Sequence, residues 1–214
     1  QMVLVVSMAS PAPNLSVLDR FLVMAEREQV EIVICLTKGD LDDPESLERY
    51  RAIYEPSYPV VLVNGLTGEG ILNLKPLLAG KKSAFAGPSG VGKSTLLNLI
   101  HETLELETGS ISRKTNRGKH TTRHVELFEV SDGGMLFDTP GFTSFDILEA
   151  EEDELQYLFP EIEALIGKCK YKSCRHSNEP GCAVKDAVAG GKIPKSRYES
   201  YLSMYQEILT RNPY

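Results

Sequence analysis

The segment GPSGVGKST at residues 87–95 restricts the fold more than any other part of this 214-residue chain. It matches the pattern G-x-x-x-x-G-K-[ST], in which glycines allow backbone N–H groups to surround phosphate oxygens. Apolar residues precede it and helix-forming residues follow it, so the sequence predicts a strand, a phosphate-binding loop and a helix in succession. Lys93 should reach the β- and γ-phosphates, and the Ser94 hydroxyl should bind Mg²⁺. The residues predicted to form the loop are Gly87, Pro88, Ser89, Gly90, Val91, Gly92, Lys93, Ser94 and Thr95.

The rest of the chain alternates short β-branched runs with helical stretches, which predicts an α/β protein with a mainly parallel sheet and helices on both faces. We expect strands at 2–6, 31–36, 58–63, 83–86, 123–130 and 134–138, and helices at 15–29, 44–54, 70–79 and 93–104. The last two strands are joined by SDGG, which is a hairpin signal. One edge of the sheet should therefore be antiparallel.

The composition changes near residue 165, where a region rich in Cys, Lys, Gly and Tyr begins. We therefore predict two domains, an α/β domain at 1–165 and a small α-helical domain at 166–214. The second domain holds nine basic and four acidic residues, whereas the whole chain has a net charge of −7. The positive charge of this region is equally consistent with binding of a polyanionic partner and with a terminal helix that is only soluble. No apolar run approaches the roughly 18 residues of a membrane span, and a start at Gln1 within a strand pattern suggests a missing upstream segment.

A second nucleotide motif, DTPG at 138–141, follows an apolar strand. Asp138 would hold Mg²⁺, usually through water, and the backbone N–H of Gly141 would meet the γ-phosphate. A transporter-type ATPase would end this strand in Asp-Glu and would carry an L-S-G-G-Q segment, and this sequence contains neither. A nucleotide kinase would need an arginine-rich lid and a monophosphate site, and would usually begin at its phosphate loop. The motif therefore favours a GTPase.

The base is indicated by TKGD at 37–40, at the end of a buried-strand pattern. In such a motif a carboxylate, here Asp40, accepts hydrogen bonds from the ring N–H and the exocyclic amine of guanine. Adenine lacks this pair of donors and would leave the carboxylate unpaired. Lys38 would lie along the base, and Thr37 stands where Asn is commoner. Asn64 and Gly65 lie in a loop similar to the S-A-K loop that contacts guanine, or else in an ordinary strand-to-helix connection.

Residues 112–128 form a basic run that contains GKHTTR. It fits a loop that becomes ordered when a threonine completes the Mg²⁺ shell of GTP. We favour Thr122 over Thr121 as this ligand, and His120 either positions the attacking water or packs against the loop. Phe142 follows DTPG, where other GTPases place a water-orienting glutamine, so hydrolysis should be slow until a partner completes the site. The candidate catalytic residues are Lys93, His120, Thr122, Asp138 and Gly141.

Three of the four cysteines lie within fourteen residues, in the pattern C-x₄-C-x-H-x₅-C. Three thiolates and an imidazole suit a tetrahedral Zn²⁺ ion, and four protein ligands leave no open position, so the site should be structural. Free thiols are the alternative, and a reducing cytosol disfavours a disulfide. The predicted ligands are Cys169, Cys174, His176 and Cys182. Farther along, Tyr198, Tyr201 and Tyr205 share one helix face, which favours packing over base stacking.

The chain resembles the circularly permuted GTPases that act on the small ribosomal subunit, the RsgA (YjeQ) family, over essentially its whole length. The resemblance rests on the guanine motif preceding the phosphate loop, on GKHTT, on DTPGF without a catalytic glutamine, and on the cysteine–histidine pattern followed by EPGCAVKDAV. It implies a cytoplasmic, monomeric enzyme that uses Mg²⁺ and one structural Zn²⁺ and converts GTP to GDP when stimulated by the small subunit and its rRNA, during late maturation. It also implies an N-terminal OB-fold, which would lie upstream of Gln1.

Two other functions fit some of the residues. Phe142 favours a GTP-gated RNA- or ribosome-binding module with negligible turnover of its own. Only the sequence of the phosphate loop, GPSGVGKST, favours a nucleotide kinase. Tight GTP binding without multiple turnover on ribosomes would identify the module, and phosphoryl transfer to a nucleoside monophosphate would identify the kinase.

Overall fold

A computed structural model describes residues 1–108, 126–138 and 150–211. Its strands are β1 (Met2–Ser7), β2 (Ile32–Thr37), β3 (Val60–Val63), β4 (Lys82–Ala86), β5 (Glu126–Val130) and β6 (Gly134–Asp138). Its helices are α1 (Leu15–Arg27), α2 (Pro44–Tyr54), α3 (Ile71–Leu78), α4 (Lys93–Thr108), α5 (Pro160–Glu163), α6 (Ala183–Ala189) and α7 (Lys195–Arg211). Short 3₁₀ turns occupy Gly39–Leu41, Ser131–Gly133 and Leu155–Leu158. None of the helices in these described segments has the length and apolar character needed to cross a membrane.

The six strands form one sheet in the order β3-β2-β1-β4-β6-β5. Every neighbouring pair is parallel except β5 with β6. All residues of β2 are buried, which explains why its sequence, IVICLT, has no alternating polar face. The predicted α/β fold with a mainly parallel sheet and one antiparallel edge is confirmed.

The antiparallel edge results from the tight turn between β5 and β6. Asp132 and Gly133 have φ values of +57° and +72°. Val130 pairs with Gly134, so the hairpin loop contains the three residues Ser131 to Gly133. Asp and Gly adopt positive φ more readily than most residues do, which suits them to this short loop. The next residue, Gly134, has no room for a side chain, because a Cβ atom there would lie 2.4 Å from the carbonyl oxygen of Leu78.

The chain groups into two compact units, each built from several segments. The first comprises residues 1–13, 32–47 and 60–144 and includes the sheet, α3 and α4. The second comprises 14–31, 48–59 and 145–214 and includes α1, most of α2, and α5 to α7. The predicted boundary between residues 165 and 166 falls within the second unit, so the division into domains at 1–165 and 166–214 stays a prediction.

The core of the first unit fixes the start of α4 beside the sheet. Leu96, Leu97 and Ile100 lie on one face of α4 at helical spacing, and all three are buried in the same cluster as Leu74 of α3 and Leu136 of β6. Burying a side chain of this size contributes about 1.5–3 kcal/mol. The first turn of α4, directly after the GPSGVG segment, is therefore anchored by apolar packing.

The second unit contains a buried ionic network that joins three helices. Arg197 of α7 donates from Nη1 to Asp19 of α1 and from Nε to Glu161 of α5, both at 2.6 Å. The side chains of Arg197 and Asp19 are 2% and 0% exposed. The Tyr54 hydroxyl donates to the same Asp19 oxygen at 2.9 Å, and the guanidinium lies 4.6 Å from the ring centroid of Phe159. The network ties α7 to residues far away in the sequence.

Candidate nucleotide site and metal centre

The order of the strands places a crevice beside β1. The chain runs from β1 outward to β2 and β3 and then returns to β4 on the other side of β1. In open parallel sheets, ligands bind at such a reversal, outside the carboxyl ends of the strands. The segments that leave these ends are residues 8–13 after β1, TKGD at the end of β2, and the loop at 87–92 after β4.

The loop after β4 has a backbone conformation that favours glycine. Gly87, Gly90 and Gly92 have φ values of +133°, +81° and +105°. A Cβ atom on Gly87 would lie 2.3 Å from the carbonyl oxygen of Val5 in β1, so a larger residue cannot occupy this position without a shift of the backbone. The Lys93 ammonium donates to the carbonyl oxygens of Gly87 and of the proline after it, both at 2.6 Å. Lys93 is thus held against the loop that is predicted to bind the phosphates.

Thr37, at the end of β2, connects the predicted guanine motif to this loop. Its buried hydroxyl donates to the carbonyl oxygen of Val91 at 2.6 Å, and the carbonyl oxygen of Val6 lies 3.3 Å away. A Cβ atom on Gly92 would lie 3.8 Å from the same hydroxyl oxygen. Although Thr stands where Asn is commoner, this side chain keeps a direct hydrogen bond to the loop.

Lys38 makes a second connection between the two motifs. It has a left-handed backbone, with φ at +58°, and its ammonium donates to the carbonyl oxygen of Gly90 at 2.9 Å and to that of Ser10. The N–H of Met8 also donates to the carbonyl oxygen of Thr37, at 2.8 Å. The segment after β1 therefore borders both motifs, which no pattern in the sequence had indicated.

The loop after β3 is shaped by its own asparagine. The Asn64 amide oxygen accepts from the N–H groups of Leu66 at 2.8 Å and Thr67 at 3.2 Å, which forms an Asx-type turn. A Cβ atom on Gly65 would lie 3.1 Å from Cγ2 of Thr95 in the first turn of α4. This predicted base loop therefore lies directly beside the helix that follows the phosphate loop.

The structure thus brings together Thr37, Lys38, Asn64, Gly65 and residues 87–95. Asp40 lies in the turn Gly39–Leu41 with its side chain exposed, and Ser94 is exposed in the first turn of α4. Of the other predicted site residues, Asp138 is described only by its backbone, as the last residue of β6. His120, Thr121, Thr122, Gly141 and Phe142 lie outside the described residues.

The four predicted metal ligands meet in the second unit. The ligand atoms of Cys169, Cys174, His176 and Cys182 all lie within 4.8 Å of one another. Nδ1 of His176 is 3.5 Å from the sulfurs of Cys169 and Cys182, which are themselves 3.9 Å apart. With Zn–S and Zn–N bonds of about 2.3 and 2.05 Å, a regular tetrahedron has S–S edges of about 3.8 Å and N–S edges of about 3.6 Å. The donor set therefore fits a zinc ion.

The environment of three of these predicted ligands favours their neutral forms in the protein alone. Burial raises the pKa of the Cys174 and Cys182 thiols and lowers the pKa of the His176 imidazole. A cation at the centre would reverse this preference for the sulfurs, because a coordinating thiol loses its proton. The cysteines are free, and a sulfur separation of 3.9 Å is far from the bond length of about 2.05 Å in a disulfide.

The tyrosines of α7 pack against one another, as the sequence predicts. The rings of Tyr198 and Tyr205 lie on either side of the Tyr201 ring, with centroids 6.4 and 6.1 Å from it. The hydroxyl of Tyr198 also donates to the carbonyl oxygen of His176 at 2.7 Å. The sequence pattern did not indicate this contact with a predicted metal ligand, because the two residues are far apart in the chain.

A family model described as RsgA GTPase matches residues 1–148. Curated relatives carry the name small ribosomal subunit biogenesis GTPase RsgA. The relative from Alkaliphilus metalliredigens is 46% identical over 215 residues, which cover 100% of this chain and 74% of that protein. The relative from Moorella thermoacetica is 46% identical over 99% of this chain and 73% of its own length. The relative from Agathobacter rectalis is 43% identical over 96% of this chain and 68% of its own length.

Two solved structures resemble the whole chain. YjeQ from Thermotoga maritima is 38% identical and superposes with a TM-score of 0.80, over 98% of this chain and 71% of that one. YloQ, described as a circularly permuted GTPase, is 37% identical and superposes with a TM-score of 0.81, over 100% of this chain and 69% of that one. The order of motifs in this chain, with TKGD before GPSGVGKST, is that of a circularly permuted GTPase.

Proposed function

We propose that this chain, which belongs to the RsgA GTPase family, hydrolyses GTP to GDP and phosphate and acts in biogenesis of the small ribosomal subunit. The observation that carries the proposal is the direct contact between the guanine motif and the phosphate loop. Thr37 and Lys38 donate to the carbonyl oxygens of Val91 and Gly90 at 2.6 and 2.9 Å. This contact would place the predicted guanine-selective segment and the phosphate loop so that both ends of one guanine nucleotide could bind at the same site.

Each predicted residue then has a role in holding or cleaving GTP. Asp40 would select guanine, the backbone of residues 87–92 would surround the phosphates, and Lys93 would orient them. Ser94 and Thr122 would hold Mg²⁺, and Asp138 would do so through water. The bound ion would neutralise the charge that develops on the phosphate oxygens during cleavage.

The last two roles concern the attack on the γ-phosphate. The backbone N–H of Gly141 would contact the γ-phosphate, and His120 would position the attacking water. Phe142 cannot orient that water, because a phenyl ring neither donates nor accepts a conventional hydrogen bond. We therefore expect slow intrinsic hydrolysis that the small ribosomal subunit stimulates by completing the site.

The basic segment at residues 166–214 would serve ribosome binding. Residues 166–214 carry a net charge of +5, which favours contact with rRNA. The cluster of Cys169, Cys174, His176 and Cys182 would hold one structural Zn²⁺ ion, and residues 166–214 would form a domain separate from the GTPase domain at 1–165. We further propose that the protein acts as a monomer in the cytoplasm, where nucleotide and ribosomes are present.

The sequence at Phe142 also favours an alternative function in binding without hydrolysis. Because Phe142 replaces the water-orienting residue, the chain could act as a GTP-gated ribosome-binding module with negligible turnover. Under this alternative GTP would set the affinity for the ribosome, and GDP would not accumulate beyond one equivalent of protein.

Nucleotide binding and turnover test the enzyme proposal. The protein should bind and hydrolyse GTP in the presence of Mg²⁺, with no comparable reaction of ATP. Lys93→Ala should lose turnover and affinity for GTP, whereas Lys82→Ala, which changes an exposed lysine on β4 before the loop, should behave like wild type. Equal hydrolysis of ATP, or phosphoryl transfer from nucleotide to GMP, would contradict the proposal. GTP binding with no more than one turnover would favour the module instead.

A further inference from the structure

His176 has a backbone conformation that its side chain does not favour. Its φ value is +60°, in the left-handed region, where a residue other than glycine costs on the order of 1 kcal/mol or more. Such a conformation persists only when the surroundings hold it. In this conformation Nδ1 lies 3.5 Å from two of the three sulfurs, and the N–H of His176 donates to the third, Sγ of Cys174, at 3.4 Å.

The carboxylate of Glu179 holds the backbone on both sides of this histidine. One carboxylate oxygen accepts from the N–H of Arg175 at 2.7 Å, and the other accepts from the N–H of Ser177 at 2.9 Å. The Ser177 hydroxyl lies 3.4 Å from the second oxygen. The two N–H groups flank residue 176. Charge-assisted hydrogen bonds from them to the carboxylate restrict the backbone rotation by which His176 would leave the left-handed conformation.

Two tyrosines of α7 hold the carbonyl side of the same segment. The Tyr198 hydroxyl donates to the carbonyl oxygen of His176 at 2.7 Å, and the Tyr201 hydroxyl donates to that of Arg175 at 2.7 Å. The Tyr201 side chain is fully buried. Because the rings stack against each other, their hydroxyls have little freedom to move. The segment 175–177 is thus held from the N–H side by Glu179 and from the carbonyl side by α7.

We propose that Glu179, Tyr198 and Tyr201 are positioning residues of the metal site. They hold residues 175–177 so that His176 presents Nδ1 to the three sulfurs, and they thereby set the affinity for zinc. The inference rests on the zinc site proposed above. These three side chains would not touch the ion and would act only through hydrogen bonds to the segment that carries His176. In other zinc sites, the loss of such outer hydrogen bonds typically lowers metal affinity 10–100-fold.

The stack of tyrosines supplies a matched pair of variants. Tyr198→Phe removes one oxygen and keeps the ring, so the hydrogen bond to His176 is lost while the packing stays. Tyr205→Phe makes the same change in the same helix, but the Tyr205 hydroxyl donates to Glu152 at 2.9 Å and not to the segment 175–177. Glu179→Gln keeps the size of the side chain and replaces one of its two acceptor oxygens by a donor. Glu163→Gln, at an exposed position of α5, is its control.

Zinc affinity of the full chain, measured by competition with a chromophoric chelator, tests the inference. Wild type should bind one zinc ion, and Tyr198→Phe and Glu179→Gln should raise the dissociation constant about 10–100-fold. Tyr205→Phe and Glu163→Gln should bind zinc like wild type. In protein loaded with Co²⁺, the ligand-field absorption band should shift in Tyr198→Phe and stay unchanged in Tyr205→Phe, because only the first variant changes the placement of the imidazole.

The measurements distinguish the absence of a zinc site from the absence of a positioning role for Glu179, Tyr198 and Tyr201. Absence of stoichiometric zinc binding by wild type would overturn the proposed metal site itself. Zinc binding by wild type with equal affinity in Tyr198→Phe would overturn the positioning role. Weakening of equal size in Tyr205→Phe would also overturn it, because the effect would then come from general packing of α7. If Glu179→Gln does not fold, the two tyrosine variants still decide the question.

Discussion

Replacement of Thr37 by valine should weaken GDP binding, because it removes the hydrogen bond that joins β2 to the phosphate loop. The change keeps the shape of the side chain and exchanges a hydroxyl for a methyl group. The hydroxyl donates to Val91 at 2.6 Å, and Thr37 and Val91 are each 2% exposed. Water therefore cannot readily replace the lost donor. A buried acceptor left without a partner costs about 1–3 kcal/mol, which corresponds to a rise of roughly 5- to 150-fold in the dissociation constant for GDP.

The affinity can be measured by titrating fluorescent GDP with wild type, Thr37→Val and two control variants. Thr37→Ser keeps the hydroxyl and should retain most of the affinity. Ser7 is the cross-strand neighbour of Thr37 and is 1% exposed, and its hydroxyl has no hydrogen-bond partner in the part of the chain that the structure describes. Ser7→Ala therefore removes a buried hydroxyl without breaking a bond to the loop, and it should bind GDP like wild type.

Two results would refute this reasoning about Thr37. The first is a Thr37→Val protein that is folded, by cooperative urea unfolding, and binds GDP as tightly as wild type. The second is a loss of affinity in Ser7→Ala as large as that in Thr37→Val. In that case the strand ends, and not the hydrogen bond to Val91, would control the phosphate loop.

Two further substitutions test the guanine selectivity of Asp40 and the buried ion pair of Arg197. Asp40→Asn should weaken the binding of GTP and favour the binding of xanthosine nucleotides. Xanthine has a carbonyl group where guanine has its exocyclic amine, and the amide of asparagine can donate a hydrogen bond to that carbonyl. Competition binding measures this change, and Asp42→Asn should keep the preference for guanine. Arg197→Met should lower the free energy of unfolding by about 3–5 kcal/mol, because it leaves the Asp19 carboxylate buried without its cation. Urea unfolding measures this loss, and Lys195→Met, which breaks an exposed pair on the same helix, should have little effect.

The features that the sequence predicted correctly depend on residues close together in the chain. The strand, loop and helix around residues 83–104 follow from glycine spacing and from apolar residues at helical intervals. The antiparallel edge follows from Asp132 and Gly133, whose positive φ values specify a hairpin. The clustering of Cys169, Cys174, His176 and Cys182 also follows from spacing, because the four side chains lie within fourteen residues of one another. Their binding of zinc stays a prediction.

The features that were not predicted arise from contacts between distant residues. Asp19 and Arg197 are 178 positions apart, and neither has a local pattern that marks it as one half of a buried ion pair. The contact of Lys38 with Ser10 likewise depends on the order of the strands, which places the end of β1 between those of β2 and β4. The left-handed conformation of His176 is imposed by Glu179 and α7, so ligand spacing alone could not indicate it.

The rate of GTP hydrolysis with and without small ribosomal subunits is the first test of the proposal that the small subunit stimulates this GTPase. Purified large subunits provide the matched control, and GDP release is followed at saturating GTP. We expect slow hydrolysis by the protein alone, a clear increase with small subunits and no increase with large subunits. An unchanged rate with small subunits, while GTP binding is intact and small subunits are shown to bind, would contradict the proposal.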